Sequence, residues 1–298
     1  MLPRLLSCLL VLLLAGCGRD SSSTPGGAPP VDRPWILLVT LDTTRADAIG
    51  PGAADVSTPA FNALAARGLR FRQAYATAPE TLPSHLSILT GLYPAGHGIH
   101  ENGRAFGDGH VVIAEKLKTA GYRTSAFVSS YVLARRFGTA RGFDLFDDEL
   151  PERGVERSAR ATTDRVIAHL NEASGPQFVW VHYFDPHTPY APPEPFKSRH
   201  PNKPYLGEIE AMDAELGRLV AAFEDAASRA GARAAIIATG DHGEGLGDHG
   251  EQQHGNLLYQ STMLVPLVIA GPGVEAGVND TPVSIRRVYH TVLDLAGL

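Results

Sequence analysis

Five short apolar runs in this chain are continuous rather than alternating: residues 36–41, 125–128, 178–181, 235–238 and 265–269. A strand that is apolar at every position has no face to give to water, so both of its faces must be covered. Between the runs lie segments with helical patterning, at residues 58–66, 84–90, 111–119, 157–171, 206–226 and 284–295. The alternation predicts an α/β fold, with a mostly parallel central sheet flanked by helices on both faces.

Four of these strand segments run into polar residues. Asp42 follows Leu41, Ser129 and Ser130 follow Val128, Asp185 follows Phe184, and Asp241-His242 follows Gly240. In open α/β sheets, ligands bind beyond the carboxyl ends of strands. A single aspartate after a strand most often caps the next helix. Polar groups after four separate strands instead predict one shared site.

Asp241-His242 offers a carboxylate and an imidazole to one divalent cation, and Asp42 with the hydroxyl of Thr81 would complete the shell. Three oxygens and one nitrogen favour zinc or manganese and still admit calcium. A hydroxyl bound to such a cation loses its proton near neutral pH and becomes a nucleophile. Thr81 also stands just ahead of a helix expected from about Pro83-Ser84. The positive end of that helix favours charge developing on a transferred phosphoryl group.

Composition narrows the chemistry. The only cysteines are Cys8 and Cys17, so residues 33–298 hold no disulfide, no thiol nucleophile and no cysteine metal ligand. A net charge of -6 gives no electrostatic reason to expect nucleic acid as a partner. Arg4 and the apolar stretch from Leu5 to Leu14 are too short to span a bilayer and read as a signal peptide. Leu14-Ala15-Gly16-Cys17 resembles a bacterial lipobox. That implies a signal peptide at 1–16, lipid on Cys17, a flexible Ser/Gly/Pro-rich tether at 17–32 and a catalytic domain at 33–298. The expected location is the cell envelope, anchored to the membrane through the lipid, with the outer membrane favoured by Gly18. The sequence carries no signal for oligomeric state.

Several motifs, in order, resemble the sulfatase branch of the alkaline phosphatase superfamily. They are Leu38-Val39-Thr40-Leu41-Asp42-Thr43-Thr44-Arg45, Thr81-Leu82-Pro83-Ser84, His97-Gly98 with Asn102, Asp185-Pro186-His187-Thr188-Pro189-Tyr190, and Asp241-His242-Gly243-Glu244. The resemblance implies the same four-residue metal shell, Asp42, Thr81, Asp241 and His242. It further implies His187 and His254 as catalytic histidines, with His187 a candidate acid for the leaving group. Asn102, His85 and Ser129 are expected to bind substrate, although Ser129 could equally cap the next helix. Asp185, His187 and His254 could hold a second metal. His97 is expected to hydrogen-bond in a turn and His249 to sit in a loop. His110, His169, His182, His200 and His290 have no context beyond surface or core.

Sulfatases of this family oxidise a cysteine or serine in C/S-x-P-S-R to formylglycine. Here Thr81 takes that position and His85 stands in for the arginine. Oxidation of a threonine yields a ketone rather than an aldehyde, so no formylglycine is expected. Thr43 replaces a frequent second aspartate. A threonine at the nucleophile position resembles the phosphodiesterase, phosphonate hydrolase and envelope phosphotransferase relatives, which form a phosphothreonine intermediate. The favoured expectation is therefore a hydrolase of a small or envelope-derived anionic phosphate or phosphonate ester. The alternatives are a sulfuric ester hydrolase, an envelope phosphoethanolamine or phosphoglycerol transferase, and a non-catalytic metal-binding protein. The smaller C-terminal sheet and helix usual in the family are expected to be missing after Leu298.

Overall fold

The computed structural model describes residues 33–151 and 156–298. Cys17 and the signal and tether segments lie outside the described residues.

Among the described residues nine strands form one sheet: β1 (Trp35–Leu41), β2 (Leu69–Tyr75), β3 (Arg123–Phe127), β4 (Leu145–Asp147), β5 (Gln177–Tyr183), β6 (Ala234–Gly240), β7 (Leu264–Ala270), β8 (Gly277–Asn279) and β9 (Val283–Ser284). Their order is β4-β3-β5-β1-β6-β7-β2-β8, with β9 also paired to β2. β1 lies between β5 and β6 and is parallel to both, with Leu38 opposite Trp180 on one side and Ile237 on the other. Only β7 runs against its neighbours β6 and β2, so the sheet is mostly parallel, as expected.

The continuous apolar runs have a direct explanation. Ile36 and Leu38 of β1 enter the core on one face, with Leu82, Leu86, Ile113, Leu117 and Val288. Trp35, Leu37, Val39 and Leu41 enter the core on the other, with Phe61, Leu64, Leu216 and Phe223. Side chains alternate between faces along a strand, so burial on both faces demands an apolar residue at every position.

Buried acids tie the helices down. In the helix Pro59–Arg67 the side chain of Thr58 forms no cap. The first amides are met instead from the long helix Pro204–Arg229, where Asp213 accepts from Ala60 N at 2.9 Å and Phe61 N at 2.8 Å. Helix-terminal amides have no partner within their own helix, so an outside carboxylate serves as well as a local cap.

The helix that matters most, Thr81–Thr90, is buried along its whole length. It begins at Thr81 and not near Pro83, as the proline had suggested. A helix does not need the first few amides, so proline fits anywhere in its first turn. The helix closes on Gly91, whose φ of 74° is the left-handed conformation that lets its amide reach Ser87 O.

Candidate active site

Three adjacent strands at the centre of the sheet, β5, β1 and β6, end side by side, and the helix Thr81–Thr90 starts beside them. β1 runs into Asp42 and β6 into Asp241 and His242. Ser84 Oγ donates to Asp241 O at 2.6 Å, which ties the start of the helix to the end of β6.

The four expected ligands meet. His242 Nε2 lies 3.3 Å from Thr81 Oγ1, 3.4 Å from Asp241 Oδ2 and 3.5 Å from Asp42 Oδ1. Asp42, Asp241 and His242 are fully buried and Thr81 is 3% exposed. His242 Nδ1 donates to Gly243 O at 3.0 Å, so Nε2 carries a lone pair toward the cluster. Burial, aided by the neighbouring His254, pushes the His242 pKa down to about 3 and keeps the ring neutral.

These residues fit a divalent cation on their own chemistry. Both carboxylate oxygens of Asp42 and Oδ2 of Asp241 are buried without a hydrogen-bond partner. Burial followed by the charge of Asp42 raises the Asp241 carboxyl well above its ordinary range. Burial also pushes Asp42 upward, but His182 and then His187 and His242 outweigh it and leave the Asp42 carboxyl low. Two carboxylates and an imidazole lone pair facing one another away from water repel, and a positive ion among them removes the conflict. The same three residues form a potential metal cluster, their ligand atoms all within 4.8 Å of one another.

Two histidines border this cluster. The His254 ring lies 4.5 Å from that of His242 and 5.2 Å from that of His187. His254 Nδ1 donates to Glu244 Oε1 at 3.0 Å, and Glu244 Oε2 accepts from Tyr190 Oη at 2.9 Å. Burial alone would lower the His254 pKa, but the hydrogen bond and charge of Glu244 outweigh it and raise it. His187 stacks on Phe184 at 4.3 Å and donates through Nδ1 to Thr188 O at 2.7 Å. Asn102 sits at the start of the helix Thr81–Thr90, where its Oδ1 accepts from Leu82 N at 2.8 Å.

Three residues do not take the places expected of them. His85 is fully buried one helical turn behind Thr81, with Nδ1 donating to Thr81 O at 2.7 Å and Nε2 2.9 Å from Thr40 Oγ1. Burial and the nearby His182 lower its pKa to about 3. A short ring in this position props the backbone of Thr81 from within the core. Ser129 is also fully buried, and its Oγ donates to His182 O at 2.6 Å. Asp185 accepts from Ala159 N at 2.7 Å and caps the helix Ala159–Leu170. Asp185, His187 and His254 do not bring their ligand atoms within 4.8 Å of one another as Asp42, Asp241 and His242 do.

Sequence reasoning missed His182 and Glu244. His182 is fully buried on β5, with Nε2 3.3 Å from Asp42 Oδ2. Its signal was a titratable residue inside an otherwise buried strand. Glu244 closes the Asp241-His242-Gly243-Glu244 motif, and its signal was an acid ten residues before His254. His97, as expected, hydrogen-bonds locally, with Nδ1 accepting from Ile99 N at 3.3 Å. His249 stacks on Tyr259 in a loop.

Comparison with known proteins agrees with this architecture. The family model described as Sulfatase matches residues 34–298. An uncharacterized sulfatase, YidJ of Escherichia coli, is 23% identical over 89% of this chain and 68% of its own length. A sulfatase of Formosa agariphila is 24% identical over 97% of this chain and 74% of its own. Among solved structures, the phosphonate monoester hydrolase of Agrobacterium radiobacter superposes with a TM-score of 0.76 at 20% identity. That match covers 89% of this chain and 74% of the hydrolase, and identity this low speaks to fold alone. With the family model spanning nearly every described residue, the chain belongs to the sulfatase family.

Proposed function

We propose that this protein is a metal-dependent hydrolase of phosphate or phosphonate esters, with Thr81 as nucleophile. The observation that carries the reading is the convergence of a threonine hydroxyl with Asp42, Asp241 and His242, in a domain without cysteine. Asp42, Asp241, His242 and Thr81 would hold the cation, zinc or manganese by their donor set. When bound, that cation supplies charge neutralisation and lowers the pKa of the coordinated hydroxyl.

The chain's own residues do the rest. Thr81 Oγ, its proton released to solvent, attacks phosphorus, forming a Thr81–O–P bond while the ester bond to the leaving alcohol breaks. The positive end of the helix Thr81–Thr90 lies beside Thr81 and favours the charge that develops on the equatorial oxygens, while its Leu82 amide is held by Asn102. His254, held by Glu244, is suited to give its proton to the leaving oxygen, and His187 to contact the bound ester. Water then attacks phosphorus and gives a proton back to His254, the Thr81–O–P bond breaks to release phosphate or phosphonate, and Thr81 Oγ regains a proton from solvent. The lipobox resemblance at Cys17 supports placing this reaction at the cell envelope. The fold shared with a phosphonate monoester hydrolase is consistent with the substrate class.

Purified wild type and Thr81→Ala, assayed on aryl phosphate monoester, diester, phosphonate and sulfate with metal content measured alongside, test the reading. A phosphorus ester is expected as best substrate, with Thr81→Ala losing at least about a thousandfold in kcat while keeping its fold. Sulfate as best substrate, or full activity in Thr81→Ala, overturns it.

A further inference from the structure

We propose that His182 is a positioning residue that aims Asp42, donating through Nε2 to the carboxylate oxygen that faces away from the cation shell. What this contact serves rests on the metal-centre reading above; the contact itself rests on geometry.

The two oxygens of Asp42 look in different directions. Oδ1 lies 3.5 Å from His242 Nε2, within the ligand cluster, and Oδ2 lies 3.3 Å from His182 Nε2 on the neighbouring strand. His182 stands opposite Thr40 in the parallel register of β1 and β5, two residues before Asp42. Both residues are fully buried. In the present geometry the pair stops just short of a hydrogen bond, and neither Asp42 Oδ2 nor His182 Nε2 has any other hydrogen-bond partner. Two complementary atoms buried without partners at this separation are each other's only remedy, since an unsatisfied buried polar group costs about 1–3 kcal/mol.

The tautomer follows from the other side of the ring. Ser129 N donates to His182 Nδ1 at 3.3 Å. A backbone amide can only donate, so Nδ1 holds a lone pair and the ring proton sits on Nε2. A protonated nitrogen donates to a carboxylate and does not ligate a cation, so His182 is not a fifth ligand. The arrangement is that of a ligand fixed by an outer hydrogen bond, here with a carboxylate as ligand and an imidazole as its support.

The support is itself held. Ser129 Oγ donates to His182 O at 2.6 Å and lies 2.7 Å from Thr162 Oγ1. Thr162 Oγ1 accepts from Arg157 Nε at 2.9 Å, and Arg157, 2% exposed, pairs with Asp147 at 2.7 Å. Arg157 N also donates to Ser129 O at 2.9 Å. The role expected for Ser129 at the substrate is thereby replaced by another, fixing the backbone and ring of the residue that fixes Asp42.

The test measures zinc affinity, by competition with a chromophoric chelator, in wild type, His182→Leu and His182→Gln, with thermal melts of the metal-free proteins as the check on folding. Leucine keeps bulk and removes the donor; glutamine restores an N–H. His182→Leu is expected to bind zinc about 10–100-fold more weakly, and His182→Gln close to wild type. Wild-type affinity in His182→Leu would reduce His182 to core packing, and an equal loss in both variants would make it a ligand; either overturns the proposal. Ring ¹⁵N spectra of metal-free wild type test the tautomer independently of any variant's folding. Protonated Nε2 is expected, and protonated Nδ1 overturns the assignment. If wild type takes up no zinc or manganese, the metal reading fails, while the ring spectra still decide the contact.

Discussion

The ends of β1 and β5 are neighbours, and each delivers an aspartate to the same edge of the sheet, yet the two acids do opposite things. Asp185, after β5, spends its carboxylate on the first amide of the helix Ala159–Leu170. Asp42, after β1, has no amide within reach and both oxygens unpartnered. A third buried acid beside them, Glu208, takes another course. Its Oε1 accepts from Ala191 N at 2.6 Å, Oε2 has no partner, and burial above all raises its pKa to about 8. One acid is thus met by a helix amide, one is pushed toward its protonated form, and the third stands in a cluster that could hold a cation. A polar residue at a strand end becomes a binding group only where the fold withholds every other partner.

The largest effect that sharpens this contrast is expected at Asp42. Asp42→Asn should weaken zinc binding by more than the roughly 100-fold assigned to an outer-shell loss, while the metal-free protein melts no lower than wild type because a repulsive buried pair is gone. Metal titration and a thermal melt check both halves; a lowered apo melting temperature would mean that Asp42 is structural, like Asp185. Metal removal comes next. A chelator should lower the melting temperature of wild type and leave Asp42→Asn unmoved, since only a protein that binds the ion gains stability from it.

The Glu208 contrast is read from pH. Its pKa is higher folded than unfolded, so the folded state holds a proton that the unfolded chain releases above pH 4.5. Its contribution to stability is full below that value and is lost as pH rises toward about 8, at up to about 1.4 kcal/mol per pH unit. Denaturant titrations should show Glu208→Gln with a flatter profile across that window; an unchanged slope would mean that Glu208 is ionised in the fold. The smallest effect belongs to Asp185. Asp185→Ala should cost about 1 kcal/mol of stability, the worth of a helix cap, with zinc affinity intact. A loss of zinc from that variant would erase the distinction between the two strand ends.

Much of this was legible in the sequence, for physical reasons. β1 and its parallel neighbours announced themselves because burial on two faces leaves few polar positions to obscure the run. Strand direction was not legible: residues 264–270 read like the others, yet β7 is antiparallel. β2 went unmarked because Arg70, Arg72 and Gln73 interrupt it, as suits a strand that is only partly buried. Asp42, Thr81, Asp241 and His242 could be singled out because each lies at the end of an element within a dense motif. His85, Ser129 and Asp185 could not be told from substrate contacts, since a polar residue at such an end props, caps or binds depending on partners remote in sequence. His182 was hidden by the strand that makes it important.

The central claim is that Thr81 carries the phosphoryl or phosphonyl group between the two half-reactions. Rapid acid quenching of the metal-loaded enzyme during turnover, followed by mass spectrometry of the peptide bearing Thr81, tests it most directly. A phosphoryl or phosphonyl adduct on Thr81 is expected, absent from Thr81→Ala and decaying when substrate is exhausted. Steady turnover with Thr81 unmodified at every quench time, or an oxidised residue at that position, would contradict it.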